Sequence, residues 1–287
     1  MAAGKTIRTY FEGCWHDGDV PVMKAADHGS WLGTSVFDGA RAVYGLTPDL
    51  LAHCERVNRS AEALVITPTV SATEMVEIVG EGLTGFAKDA AVYIRPMYWA
   101  IEGDETVVAA KPGKTGFAIC LEEIPFRRET SATLTTTHYR RPVLDSSVVN
   151  AKAGCLYPNN ARMLREARAK GFGNALVADA LGNVAETATS NIFMVRDGVV
   201  FTPVPNGTFL AGITRARHMA NMEAAGIEVY EAVLSFDDFR AADEVFMSGN
   251  MSKVTAVTAF DDVQYQEGPV TRAVRDLYWD WAASQPA

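Results

Sequence analysis

The sequence has little from which to build a disulfide framework or a metal centre. Its 287 residues include four cysteines, at 14, 54, 120 and 155, and no C-x-x-C pair. A chain of this length holds a core without covalent staples, so the wide spacing points to reduced thiols and a cytoplasmic location. The five histidines, at 16, 28, 53, 138 and 218, lack the close Cys/His spacing that zinc requires. No apolar run is long enough to span a bilayer, which argues against a membrane partner. Met1-Ala2-Ala3-Gly4-Lys5 leads straight into a polar-aromatic stretch, with no apolar core of a secretory leader. Basic residues are in the minority, 26 Lys+Arg against 35 Asp+Glu, and form no stripe. The net charge of −9 therefore argues against nucleic acid as a partner. Internal repeats and low-complexity segments are absent too.

What is present reads as an ordinary globular enzyme, with 48% hydrophobic and 21% charged residues. The length suggests two lobes. Strands are expected at 7–11, 34–44, 90–100 and 115–121, with Pro96 marking the third as an edge or an end of pairing. The 3.6-residue period predicts a helix over 50–64, and Ser71-Ala72-Thr73-Glu74 opens a second over 71–86. Arg56 and Arg59, three apart, are expected to share a face: either solvated and paired with Glu55 or Glu62, or an anion clamp. Residues 102–114 read as a loop long enough to be a lid. A linker is placed at 125–130, dividing a smaller α+β domain (1–124) from a larger strand-rich α/β domain (131–287). Beyond it, strands are expected at 132–139, 175–179, 227–233 and 244–247, and a hairpin over Asp197-Gly198. A helix is expected at 159–170, and Leu210 to Arg215 enters another that runs to about Ala224.

One lysine stands apart. Lys152 lies in Val148-Val149-Asn150-Ala151-Lys152-Ala153-Gly154-Cys155-Leu156-Tyr157, among small and apolar neighbours, with Tyr157 five residues on. Half-burial lowers a lysine's pKa and lets it attack a carbonyl. The plain alternative is a lysine snorkelling from a strand end. Glu186 is an acidic residue in the hydroxyl-rich run Val184 to Asn191. Gly212-Ile213-Thr214 opens a helix, where free N–H groups and the dipole suit a phosphate. Ser248-Gly249-Asn250-Met251 is a second small polar turn, and Arg59 is a candidate positive charge. A lysine, a carboxylate and a phosphate cradle are what pyridoxal 5′-phosphate (PLP) requires.

The chain resembles the fold-type IV PLP enzymes, a group that includes branched-chain aminotransferases, D-amino acid aminotransferases, (R)-selective amine transaminases and aminodeoxychorismate lyases. The motifs that carry the resemblance are Gly33 to Arg41, Ala151-Lys152-Ala153-Gly154, Glu186 to Phe193, Gly212 to Arg215 and Ala242 to Gly249. The resemblance implies that Lys152 carries the cofactor as an imine and shuttles the proton, while Glu186 partners the pyridine nitrogen. It places Tyr157 near the phenolic oxygen. Arg59, Ile213, Thr214 and the turn at Ser248, Gly249 and Asn250 take the phosphate positions, with Asn191 and Gly212 among the cofactor-binding residues. Asn250 stands where many relatives carry threonine, a change that backbone N–H groups survive.

Within the group, Phe37, Gly39, Tyr93 and Arg95 match branched-chain aminotransferases. There the aromatic residues line an apolar pocket, and the arginine meets a glutamate side chain. The implied reaction moves an amino group between branched-chain L-amino acids and 2-oxoglutarate, in a homodimer. Leu32 stands where those enzymes commonly carry tyrosine, which removes a polar contact and makes the pocket edge more apolar. Arg141, beside Arg140, is a candidate for an additional carboxylate contact, with solvated charge as the alternative, and Met251 is counted with the substrate positions. The alternatives kept open are a D-amino acid or (R)-amine transaminase, or the lyase, on the same scaffold.

Overall fold

The computed structural model describes residues 6–285. The N-terminal stretch Met1 to Lys5, read above for a leader, lies outside them. The chain divides into two compact units, Met1–Phe126 with Asn150–Leu156, and Arg127–Val149 with Tyr157–Ala287. Residues 150–156, expected with the larger C-terminal domain, therefore group with the first unit.

The first unit is built on a six-stranded antiparallel sheet. Its elements are β1 (Ile7–Phe11), β2 (Cys14–Asp17), α1 (His28–Trp31), β3 (Ser35–Phe37), β4 (Ala40–Ala42), α2 (Leu50–Ala63), α3 (Ala72–Leu83), β5 (Val92–Ala100) and β6 (Thr115–Glu123). The strand order is β2-β1-β6-β5-β3, with β4 also on β5. The single strand expected over 34–44 is thus two, broken at Asp38-Gly39. Pro96 does not mark an edge, because β5 pairs along its whole length with β6. On its other side β5 pairs with β4 through residues 92–94 and with β3 through 97–99, so the missing N–H of Pro96 falls at the gap between them. Helix α3 starts at Ser71, whose hydroxyl accepts the Glu74 N–H at 3.2 Å.

The second unit holds a mixed nine-stranded sheet. Its elements are β7 (Ser131–Arg140), α4 (Tyr157–Ala169), β8 (Asn174–Ala178), β9 (Val184–Thr187), β10 (Asn191–Arg196), β11 (Val199–Pro203), α5 (Ile213–Ala224), β12 (Val229–Ala232), α6 (Phe236–Arg240), β13 (Glu244–Gly249), β14 (Lys253–Phe260), β15 (Val263–Gln264) and α7 (Pro269–Ser284). The order is β12-β11-β10-β13-β14-β7-β8-β9, with β15 on β14. Strand β10 explains why the sheet is buried on both faces. Ile192 and Met194 point into one cluster with Leu134, Leu176 and Phe239. Phe193 and Val195 point the opposite way, against Phe246, Met222 of α5 and Val274 of α7. Phe193 and Phe246 stack with centroids 4.9 Å apart. Asp197-Gly198 turns the β10–β11 hairpin with both residues at positive φ, 52° and 80°. Helix α7 begins with Pro269 at its first turn, and the Glu244 carboxylate accepts the N–H groups of Val270 (3.1 Å) and Thr271 (2.8 Å).

Candidate active site

In the first unit the Lys152 backbone is clamped on both sides. Its N–H donates to Ser60 Oγ at 3.1 Å, its carbonyl accepts the Phe37 N–H at 3.1 Å, and Ala153 bridges to Val36. The side chain is half-buried, with Nζ 5.3 Å from the centre of the Phe37 ring. A 3₁₀ turn, Gly154–Leu156, follows.

The Phe37–Gly39 segment beside it is anchored by Asp38, which is fully buried. The Asp38 carboxylate accepts from the Gly39 N–H (2.7 Å), His53 Nδ1 (2.7 Å), Arg56 Nε (2.6 Å) and Arg56 Nη2 (2.8 Å). Burial by itself would raise the Asp38 pKa. The Arg56 guanidinium and the His53 ring overcome that and hold it well below the ordinary carboxylate range. Gly39 is needed for a different reason, because a Cβ there would run into the Tyr93 hydroxyl. Tyr93 and Arg95 sit two apart on β5, on one face of the strand, and the guanidinium lies 5.7 Å from the Tyr93 ring centre. That guanidinium is also 3.8 Å from Glu122 and donates to Cys120 Sγ at 3.3 Å. Phe37, Gly39, Tyr93, Arg95 and Lys152 all belong to this unit, whereas Leu32 is 42% exposed.

The two arginines of α2 do not share a face. Arg56 is buried on Asp38, but Arg59 is exposed and pairs with Glu55 at 3.8 Å. The buried stripe of α2 runs through His53, Cys54, Arg56, Val57, Ser60 and Ala61, and three residues on from Arg56 the helix has turned away from it. Arg59 is therefore the more solvated arginine of the two.

In the second unit one residue, Asn191, ties the expected pieces together. Its Nδ2 donates to Glu186 Oε2 at 3.3 Å and to the Leu210 carbonyl at 3.2 Å. Its strand position pairs with Ser248, and it stands so close to Gly212 that a Cβ on that residue would collide with Asn191 Oδ1. Gly212 caps α5 without a side-chain bond, which leaves the first N–H groups of the helix, at Ile213 and Thr214, to an outside acceptor. Gly249 passes Ser190, where an added Cβ would lie 2.8 Å from the hydroxyl. Among the described residues Ser248 Oγ and Asn250 Nδ2 are buried polar atoms without a protein partner. Glu186, Asn191, Gly212, Ile213, Thr214, Ser248, Gly249 and Asn250 thus form one neighbourhood. Tyr157, the first residue of α4, is 39% exposed, and Met251 is 42% exposed.

Arg141 is not the solvated charge of the alternative reading. It is buried, with Nη2 3.1 Å from Glu186 Oε1 and donating to the Thr187 carbonyl at 2.6 Å, and with Nη1 donating to Asn160 Oδ1 at 2.7 Å. Arg140, its neighbour, bonds backbone carbonyls of its own strand, Thr137 at 3.0 Å and Tyr139 at 3.4 Å.

The donor set fits a ligand that carries a phosphate at one end and a protonated ring nitrogen at the other. It offers free helix N–H groups, two orphaned polar atoms in the turn and a buried carboxylate. Residues 35–260 match the family model for class IV amino-transferases. The chain belongs to that family. It is 30% identical over 279 residues to the branched-chain-amino-acid aminotransferase of Escherichia coli strain K12, covering 92% of this chain and 88% of that one. Its fold superposes with a TM-score of 0.96 on the crystal structure of an aminotransferase from Brucella abortus bound to the cofactor PLP. That chain is 56% identical, and the match covers 98% of this chain and 100% of the other. A T.th. branched-chain amino acid aminotransferase, solved with N-(5′-phosphopyridoxyl)-L-glutamate, matches at 28% identity and a TM-score of 0.86, over 100% of this chain and 96% of that one. The fold is therefore that of the class IV aminotransferases.

Four cysteines stand free in the structure, with Cys54 and Cys120 buried and Cys14 and Cys155 exposed. Among the described residues no acidic, histidine or cysteine cluster suits a metal ion, and no helix is long and apolar enough to cross a membrane.

Proposed function

We propose that this class IV aminotransferase uses PLP to move an amino group between branched-chain L-amino acids and 2-oxoglutarate. The observation that carries the reading is the neighbourhood around Asn191, where an ion-paired buried carboxylate and an uncapped helix start are held by a single side chain. The branched-chain names of the relatives and the glutamate adduct of the T.th. enzyme support the choice of substrates.

When bound, PLP supplies an aldehyde that takes up the amino group and a ring that accepts the electrons left on the substrate carbon. Lys152 is the residue that would hold that aldehyde carbon and whose Nζ would carry the proton between the substrate Cα and C4′ of the cofactor. A clamped backbone under a half-buried side chain suits that role, because it limits where Nζ can swing. Glu186 accepts the ring N–H, with Arg141 and Asn191 fixing the carboxylate plane. Ile213, Thr214, Ser248, Gly249 and Asn250 donate to the phosphate, and Tyr157 donates to the phenolic oxygen. Arg59, exposed on α2, is assigned a further positive charge for the phosphate, which would take the place of Glu55.

Phe37 and Tyr93 give the substrate side chain apolar and aromatic contact, and Arg95 receives the second carboxylate of glutamate, exchanging it for Glu122. Leu32 is the one departure that favours the D-amino acid or (R)-amine reading, since an apolar group replaces a hydroxyl there. A homodimer in the cytoplasm completes the proposal. Borohydride treatment of the PLP-loaded protein followed by peptide mass mapping tests the lysine: a phosphopyridoxyl mass on Lys152 is expected, and the tag on any other lysine overturns the assignment.

A further inference from the structure

The turn that follows β13 contains a residue that none of the roles above uses. Lys253 opens β14 and is among the largest fully buried side chains of the molecule, 1% exposed. The β13–β14 hairpin turns over Asn250, Met251 and Ser252, with Gly249 paired to Lys253. Lys253 closes that loop at φ +63°, the left-handed region where glycine is the ordinary choice. A long charged side chain at such a backbone position, buried, is costly twice over, which points to a task for the side chain.

That task is visible in its contacts. The Lys253 ammonium donates to Asn250 Oδ1 at 2.6 Å and stands 5.4 Å from the centre of the Tyr278 ring. An ammonium has three N–H donors and no acceptor, so the Asn250 atom that meets it is the carbonyl oxygen. The orientation of the amide is thereby decided: its NH₂ group is turned away from the lysine. That group is one of the two orphaned buried atoms of the turn, the other being Ser248 Oγ. Without the lysine, Asn250 is free to present either end, and an oxygen in that place repels an anion.

We propose that Lys253 is a positioning residue for phosphate binding: by pinning Asn250 Oδ1 it makes Asn250 an N–H donor to the phosphate of PLP. This supplies what the threonine-to-asparagine exchange otherwise loses, a side-chain donor of fixed sense at this turn. The inference rests on the reading that the Ser248–Asn250 turn receives the phosphate.

The test compares PLP with pyridoxal, which lacks the phosphate, as ligands of the full-length apoprotein, with dissociation constants read by fluorescence quenching and apoprotein thermal midpoints measured alongside. Lys253→Met is expected to weaken PLP about tenfold and leave pyridoxal unchanged, the loss of about one charge-oriented hydrogen bond. Asn250→Ala is expected to do the same, and adding Lys253→Met to it should cost nothing more. Equal weakening of PLP and pyridoxal, or a lower thermal midpoint with unchanged PLP affinity, means a merely structural lysine and overturns the proposal. If Asn250→Ala weakens PLP and Lys253→Met does not, the turn binds phosphate but the lysine does not orient it. If Asn250→Ala leaves PLP affinity unchanged, the phosphate reading of the turn falls, and this proposal with it. Should Lys253→Met fail to fold, Asn250→Asp keeps the lysine's partner and removes the donor. It is expected to weaken PLP by more than tenfold with pyridoxal unaffected, and unchanged PLP affinity overturns the proposal.

Discussion

Asp38→Asn is the most informative perturbation of the first unit. The carboxylate is fully buried and accepts four hydrogen bonds, three on Oδ1 and one, from Arg56 Nε, on Oδ2. An asparagine keeps the shape. It loses least by placing its oxygen at the Oδ1 position, which sets its NH₂ against the Arg56 Nε–H, donor against donor. The larger loss is the charge, because Arg56 loses the carboxylate it is buried against. Breaking one side of a buried ion pair costs about 3–5 kcal/mol. With a urea dependence of about 2 kcal/mol per molar, that lowers the unfolding midpoint by about 2 M. Removing both charges, in Asp38→Asn with Arg56→Met, should cost less than the sum of the two single changes, since no charge is left stranded. The same logic sets a pH dependence. A carboxylate whose folded pKa lies below its unfolded value of about 3.9 contributes stability above that value and loses it as pH falls toward the folded pKa. The stability of the wild type should therefore fall on acidification below about pH 5, with the slope reduced in Asp38→Asn. Urea titrations at neutral and acid pH check both. A midpoint within about 0.5 M of wild type, corresponding to about 1 kcal/mol, or strict additivity in the double variant, refutes the reasoning.

Other changes separate roles within the site. Arg141→Met takes the guanidinium away from the buried Glu186 carboxylate and should destabilise the protein by about 3 kcal/mol in urea unfolding; a raised KM with unchanged stability would instead mark a direct substrate contact. Gly212→Ala drives a methyl into Asn191, so PLP affinity by apoprotein titration should fall at least about tenfold, while a neutral result would remove Asn191 as the tie between helix and carboxylate. Arg95→Met should raise the KM for 2-oxoglutarate about tenfold and spare that for L-leucine, and equal effects on both would sink the arginine's assignment to the second carboxylate.

Much of the architecture was legible because local chemistry and global fold agree. Asp197-Gly198 announces its hairpin, Ser71 starts its helix, and the period of α2 gives its buried stripe. The same stripe held the signal that separates Arg56 from Arg59: His53, Val57 and Ser60 repeat at helical spacing, and Arg56 lies beside Val57 while Arg59 does not. Spacing of three alone was too coarse to tell them apart. Asp38 and Lys253 were less accessible. Asp38 interrupts an apparently continuous strand, and its partners come from a helix 15 and 18 residues later. Lys253 looks like any surface lysine in a polar turn until the left-handed backbone buries it. The role of Arg141 was likewise invisible, because the strand that carries Glu186 begins more than forty residues downstream. Helix α7 did carry a signal in Gly268-Pro269, a proline at the first helical turn.

The central claim is that the protein transaminates branched-chain L-amino acids through PLP. It is tested most directly by mixing the PLP-loaded protein with single amines and following its visible absorption. The panel is L-leucine, L-glutamate, D-alanine and (R)-1-phenylethylamine. Rapid loss of the visible band with L-leucine and with L-glutamate, and with neither of the others, is the predicted result. Loss with D-alanine or the (R)-amine, and not with L-leucine, contradicts it and makes Leu32 the first residue to exchange.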